Sequence, residues 1–335
     1  MTYIFFQQLI QYNMVKKIKF SKEFLLAFIL CAFAIFLCFF NGTSLAVTNG
    51  LKLWVATLVP SLFPFLVVTA FLSENSALKR SFMKFTPITK RAFGTSGLTA
   101  YAFFMSALSG YPVGAKIISD LKLGGLISDS EAKKASVFCS TSSPAFTINC
   151  VGKIMFNSAL FGVILYFINI FCALVSGVVF SLFISKDNDK RSFSFSKGNF
   201  DFYDGVYQSV ISLLVVGGII AVFSVISEVL LSLNALYIPT KVLSLITSSD
   251  GISKAICVGT IECSNGLKLL AELNLNFFSL PVSAFLCGLG GICVMVQSVA
   301  FLKRAKIKTA VFYLGKIFQA VLGFILGCLF SGFFV

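Results

Sequence analysis

The chain has 335 residues, 57% of them hydrophobic and 12% charged, with a mean hydropathy of +0.93. That balance excludes a water-soluble globular domain, which needs more polar side chains to face solvent. Lys and Arg number 27 against 13 Asp and Glu, a formal charge of +14. The cations gather in short clusters between apolar runs, which fits cytoplasmic loops of a multi-pass membrane protein and not a continuous nucleic-acid-binding face. There is no His, which removes histidine ligation and histidine acid/base chemistry. The 10 Cys lie mostly within apolar runs and read as small buried hydrophobes.

The fold class expected is an all-α polytopic membrane protein, with about seven transmembrane helices plus two re-entrant or broken helical hairpins arranged as inverted repeats. Residues 1–23 form a cytoplasmic segment in which Met14 is an alternative initiator to Met1. Lys16, Lys17, Lys19 and Lys22 precede the first apolar run, 24–45, which reads as a retained helix because it lacks a convincing cleavage site and many spans follow. The next run, Leu51 to Leu72, holds Pro60 and Pro64 and should be kinked or broken near its middle. Lys79, Arg80, Lys84, Lys90 and Arg91 then form a basic loop.

Between Gly94 and Ile127, two short apolar arms flank Ser109-Gly110-Tyr111-Pro112-Val113-Gly114-Ala115-Lys116. Each arm is near or below the roughly 20 residues that a crossing helix needs, so a re-entrant hairpin is expected. Ser128, with Glu131 three residues on, has the pattern of a capping box. Ala135 to Val151 is expected to cross as one helix and Ile154 to Ile184 to return. A cytoplasmic linker, 185–204, separates a first repeat, 51–184, from a second, 205–335. In the second, Val206 to Leu233 crosses, Pro239 to Leu275 is a broken segment turning near Gly259 to Gly266, and Leu280 to Leu302 and Ala310 to Phe334 cross in turn. The two halves match in element order, and the loop charges give them opposite topology. Inverted repeats with interrupted segments in matching positions are the plan of alternating-access carriers, with the solute held at the breaks.

A few polar residues need a reason. Glu262 lies among apolar residues, where insertion scales put the cost of a comparable aspartate at about 2.5–3.5 kcal/mol. It is either a solute or coupling-ion ligand or a loop-end carboxylate in headgroup water. Asn265, with Ser264 beside it, shares its face if helix runs through them. Lys116 follows the first break and either meets an anionic solute or snorkels to the cytoplasmic interface. Ser140, Ser142 and Ser143, followed by Asn149, form a hydroxyl and amide cluster that lines a site or cements helices. Gln297 needs a hydrogen-bond partner in hydrocarbon. No nucleophile and base constellation points to an enzyme. No cofactor or metal is expected beyond a coupling proton or Na+, and the partners expected are the lipid bilayer and a small anionic or nucleoside-like solute, with no nucleic acid.

Several of these residues also carry a likeness: Asn49-Gly50-Leu51-Lys52-Leu53 with Pro60 to Phe65, Ser109 to Lys116, Phe138-Cys139 through Pro144, Glu262 to Gly266, and Gly290-Gly291 with Gln297 and Gly315-Lys316. With them the chain resembles the bacterial sporulation integral membrane proteins built from paired nucleoside-recognition (Gate) domains. The resemblance implies a carrier related in plan to concentrative nucleoside transporters, working in the mother-cell or outer forespore membrane. It further implies dipicolinate, a planar aromatic dianion, as solute, moved from mother cell toward forespore. Lys116 and the Ser140 to Pro144 cluster suit that anion, while Glu262 would serve a coupling cation or proton or, when protonated, a ring nitrogen. Cys139 and Cys263 depart from the Thr, or Ser and Asn, expected in close relatives. Nucleoside transport, or a scaffold that moves nothing, is the alternative.

Overall fold

A computed structural model describes residues 42–185, 202–273 and 275–334. The N-terminal segment, most of the expected helix 24–45 and most of the linker 185–204 lie outside the described residues. Five helical runs among the described residues are long and apolar enough to cross a bilayer: Thr43–Leu72, Ala159–Ser181, Phe202–Ser232, Ser279–Arg304 and Ala310–Phe333. The protein is an all-helical polytopic membrane protein.

The first run is bent rather than cut. Helix α1, Thr43–Leu53, passes through a π-helical turn, Trp54–Leu58, into α2, Val59–Glu74. Pro60 lacks the N–H that would bond the carbonyl four residues back, and the widened turn just before it accommodates the loss. Trp54 Nε1 donates to the Leu213 carbonyl at 3.2 Å, pinning this turn to the second half. The basic stretch that follows is helical, not a plain loop: α3, Ser76–Phe82, and α4, Thr86–Ala92, carry Lys79, Arg80, Lys90 and Arg91 in their last turns. Phe85 and Ile88 stay exposed, so charge and apolar surface together suit the pair to a membrane interface.

The expected hairpin follows as α5, Gly97–Ser109, and α6, Val113–Leu123. Gly110, at φ +81°, makes the turn that a side chain would resist. The Ser128 capping box is present at the start of α7, Asp129–Phe138. Glu131 also accepts from Ser96 N at 2.5 Å, so the hairpin leaves where it entered.

The single crossing expected over Ala135 to Val151 is instead two pieces. Helix α7 stops at Phe138, the chain runs without helix to Ser143, and a π-helical segment, Ala145–Met155, continues. Here hydroxyls replace glycine as the means of breaking a helix: Ser143 Oγ accepts from Phe146 N at 3.2 Å, and Ser106 Oγ accepts from Thr141 N at 3.3 Å. Helix α8, Ala159–Ser181, then returns.

The second half repeats this order. Its long helix, α9, Phe202–Ser232, starts inside the stretch read as linker. Helix α10, Tyr237–Thr247, is separate from the hairpin it was expected to begin, and Ile238, Leu245 and Ile246 are exposed on it, making it the counterpart of α3–α4. The second hairpin is α11, Asp250–Ile261, and α12, Cys263–Ala271. The Leu280 to Leu302 run is broken as well, into α13, Ser279–Leu289, and α14, Gly291–Arg304, at Gly290 with φ +78°. Helix α15, Ala310–Phe330, closes the half and packs along α13 and α8.

Contacts fix which ends share a face. Ser181 Oγ donates to Ala92 O at 3.4 Å, Ser130 Oγ to Ser185 O, and Lys122 Nζ to Lys306 O at 3.4 Å. The root of the first hairpin, the end of α8 and the α14–α15 turn therefore lie together, with Lys79 to Arg91, Lys122 and Lys306 among them. Cationic loops mark the cytoplasmic side. At the other face Phe161 meets Phe334 at 5.2 Å, and a Cβ on Gly327 would overlap Pro281, which joins the start of α8, the start of α13 and the end of α15. The second hairpin is rooted there, where Gly251 at the start of α11 packs on Leu273 beyond α12.

Candidate functional site

Rooted at opposite faces, the hairpins point their tips at one another. A Cβ on Gly290 would stand 3.7 Å from the Tyr111 ring, and the Tyr111 hydroxyl meets the Cys263 thiol. Four breaks, at Gly110, at Ser140 to Ser143, at Glu262 and at Gly290, thus come close together within the bundle. Each break ends one helix and begins another, so orphan carbonyls and orphan N–H groups both concentrate there.

Between the tips and the paired helices α2 and α9 lies a cavity of about 410 Å³. Of the residues singled out from sequence, Gly110, Tyr111, Lys116, Ser143, Glu262, Ser264 and Gln297 line it. Leu62, Val216 and Phe301 complete an otherwise apolar wall, the usual make-up of a small-molecule site.

Three of the remaining members, Ser142, Asn265 and Gly114, brace the walls. Ser142 Oγ donates to the Tyr111 hydroxyl at 3.2 Å and accepts from Asn169 Nδ2 at 3.2 Å. Asn265 Nδ2 donates to Ser224 Oγ at 2.8 Å, tying the second hairpin to α9. Gly114 lies against the Cys139 carbonyl with no room for a side chain. Ser140 is buried outside the cavity wall, and Asn149 is half-buried on the π-helical segment, away from it. The two departing cysteines are buried: the Cys139 thiol faces Thr99 O at 3.7 Å and the Cys263 thiol faces Leu286 O at 3.4 Å.

Glu262 is buried, at 2% exposure, and so is not in headgroup water. It sits in extended backbone as the cap of α12, accepting from Ser264 N at 3.1 Å and Asn265 N at 2.7 Å. A carboxylate at a helix N-terminus faces the positive end of the dipole, which offsets part of its burial cost. Gln297 Nε2 finds the Cys293 sulfur at 3.5 Å, a weak acceptor, leaving its amide ready for a better one.

A second cavity, of about 570 Å³, adjoins the first. Lys79, Asp120 and Asp204 line it together with Gln208, and it shares Leu66, Val113, Lys116 and Ser212 with the first. Lys79 sets this outer cavity at the basic face, and Lys116 lines both cavities. Leu58, Phe146 and Ile220 on the wall of the inner cavity belong to one packed core with Cys150, Val151 and Leu267.

Sequence reasoning missed three polar residues at the centre: Asn169, Ser224 and Gln319, the last donating to Val137 O at 2.7 Å and Ser176 Oγ at 2.9 Å. It quoted Lys316 only for a likeness. Single polar groups inside long apolar helices were the available signal.

No family model matches the chain, and no solved structure matches it. Over 300 residues it is 24% identical to the sporulation integral membrane protein YlbJ of Bacillus subtilis (strain 168), covering 82% of this chain and 74% of that protein. The similarity extends over both hairpins' worth of sequence and supports, for this multi-pass membrane protein, a role in sporulation.

Proposed function

We propose that the protein is an alternating-access carrier for a small aromatic dianion, dipicolinate, moved from the mother cell toward the forespore across the outer forespore membrane. The observation that carries this reading is the cavity between two oppositely rooted hairpin tips, joined through Lys116 to a vestibule on the basic face. Interrupted helices meeting in the middle of a bundle are where such carriers hold their solute. In this reading Lys116 meets a solute carboxylate, and Tyr111 and Gln297 supply hydrogen bonds around the ring. Glu262 takes a proton or hydrogen-bonds the ring nitrogen. The chain carries out no covalent chemistry. A nucleoside is the second reading, favoured by the neutral polar members of the wall, Ser143, Ser264 and Gln297.

The test is uptake of radiolabelled dipicolinate and, in parallel, uridine into proteoliposomes holding the purified protein or its Glu262→Gln variant. Dipicolinate uptake that is lost in the variant supports the proposal. Uptake of uridine alone transfers it to nucleosides. If neither enters across imposed proton and sodium gradients, the protein is a scaffold and the carrier reading is wrong.

A further inference from the structure

An ammonium buried in an apolar interior ordinarily has a carboxylate beside it. Lys316 on α15 is fully buried, and among the described residues no carboxylate stands within ion-pair distance of it. Its Nζ donates instead to the Ser140 carbonyl at 2.9 Å and to Gln319 Oε1 at 3.3 Å, and it lies 5.4 Å from the centroid of the Tyr111 ring. All three partners belong to, or brace, the break at Ser140 to Ser143, the first of the two breaks in crossing helices, with Gly290 the second. The Ser140 carbonyl is free because α7 ends two residues earlier, and Gln319 itself takes the Val137 carbonyl in the last turn of α7. The negative end of the α7 dipole therefore faces the ammonium, and the ring face of the first hairpin tip covers it.

Carbonyls released where a membrane helix unwinds are where carriers commonly bind a small metal cation. In this chain a side chain already stands at that place. Two further oxygens, Ser140 Oγ on the break itself and Asn169 Oδ1, whose amide nitrogen bonds Ser142, are buried without hydrogen-bond partners. The second break is closed without charge, since the Leu286 carbonyl takes Gly290 N at 2.7 Å and the Cys263 thiol at 3.4 Å. The cation belongs to one repeat only.

We propose that Lys316 is a resident, tethered cation that closes the first helix break, so that the protein holds no exchangeable Na+ there and does not depend on sodium. The part concerning transport rests on the carrier reading; the part concerning the break does not.

The experiment is thermal unfolding of the purified full-length protein in sodium, potassium and choline chloride at equal concentration, for wild type and for Lys316→Ala and Lys316→Met. Wild type is expected to unfold at the same temperature in all three salts. Lys316→Ala should unfold lower in choline and recover on addition of Na+ or methylammonium, which can take the place of the ammonium beside the Ser140 carbonyl and Gln319 Oε1. Stabilisation of wild type by Na+ over choline would overturn the proposal, as would Lys316→Met equal to wild type or Lys316→Ala insensitive to every cation. Should the variants fail to fold, the wild-type salt comparison decides alone. In proteoliposomes, replacing Na+ by choline should leave solute uptake unchanged, and a several-fold loss would overturn the sodium clause. If no solute is transported, the carrier reading fails while the unfolding comparison still tests the break.

Discussion

Substituting Gly266 by Ala should loosen the second hairpin and shift Glu262 with it. A Cβ at Gly266 would lie 2.2 Å from the Gly259 Cα, 2.5 Å from its nitrogen and 2.7 Å from the Ala255 carbonyl oxygen, backbone atoms of the facing arm. Comfortable separation is about 3.5 Å, so α11 and α12 must part by about 1.3 Å. Overpacking of this kind costs about 1–3 kcal/mol, and the better helix propensity of Ala returns about 0.5–1 kcal/mol. Gly218 on α9 is the control, since a Cβ there has nothing within 4 Å, and Gly218→Ala should be neutral or slightly stabilising. The two variants should therefore differ by about 2 kcal/mol. Denaturant or thermal unfolding followed by the fluorescence of Trp54, the one Trp in the chain, measures the difference. Gly266→Ala unfolding at or above Gly218→Ala would refute the close approach of the arms.

Ser128→Ala removes the cap of α7 and should cost about 1 kcal/mol, read as faster amide exchange at residues 129–131; unchanged exchange would contradict the capping box. Ser224→Ala leaves the Asn265 amide without its acceptor and should destabilise by about 0.5–1.5 kcal/mol, with the same loss in Asn265→Ala and no additivity in the double variant. Lys116→Gln should raise the half-saturation concentration for dipicolinate about tenfold while Lys116→Arg stays near wild type, the loss of roughly one charge-assisted hydrogen bond. An unchanged value in Lys116→Gln would remove Lys116 from the solute path.

Hydropathy made the long helices legible, because an apolar run of over twenty residues has few other fates. Glycine and proline made the breaks at Gly110 and Pro60 legible. The break at Ser140 to Ser143 was read as continuous helix, although Pro144 follows it: one of the hydroxyls that take its backbone N–H groups, Ser143, is local, and the other, Ser106, lies on the first hairpin. The interfacial helices α3, α4 and α10 were hidden for a different reason. Their apolar residues are interleaved with Lys, Arg and Pro, so that α3 and α4 were read as a loop and α10 as the start of the broken segment from Pro239 to Leu275. At the centre, Glu262 and Lys116 stood out as charges beside obvious turns. Lys316 and Gln319 meet Ser140 and Val137 only after about 180 residues of intervening chain, and their role exists in three dimensions alone.

The clamp at the root of the first hairpin has a mechanical consequence. Glu131 bonds the backbone N–H groups of Ser96, at 2.5 Å, and of Ser128, at 3.0 Å, so one carboxylate ties the foot of α5 to that of α7. Helix α5 has 13 residues, a rigid arm of about 20 Å from foot to tip. With the foot held as a fulcrum, a tilt of about 5° carries Tyr111 through roughly 2 Å by the length of that arm, enough to break its bond to Ser142 or to make it. The protein can thus move its centre by a large fraction of a bond's reach while its basic rim stays still, and a salt or charge change at that rim would be felt as leverage at the tip.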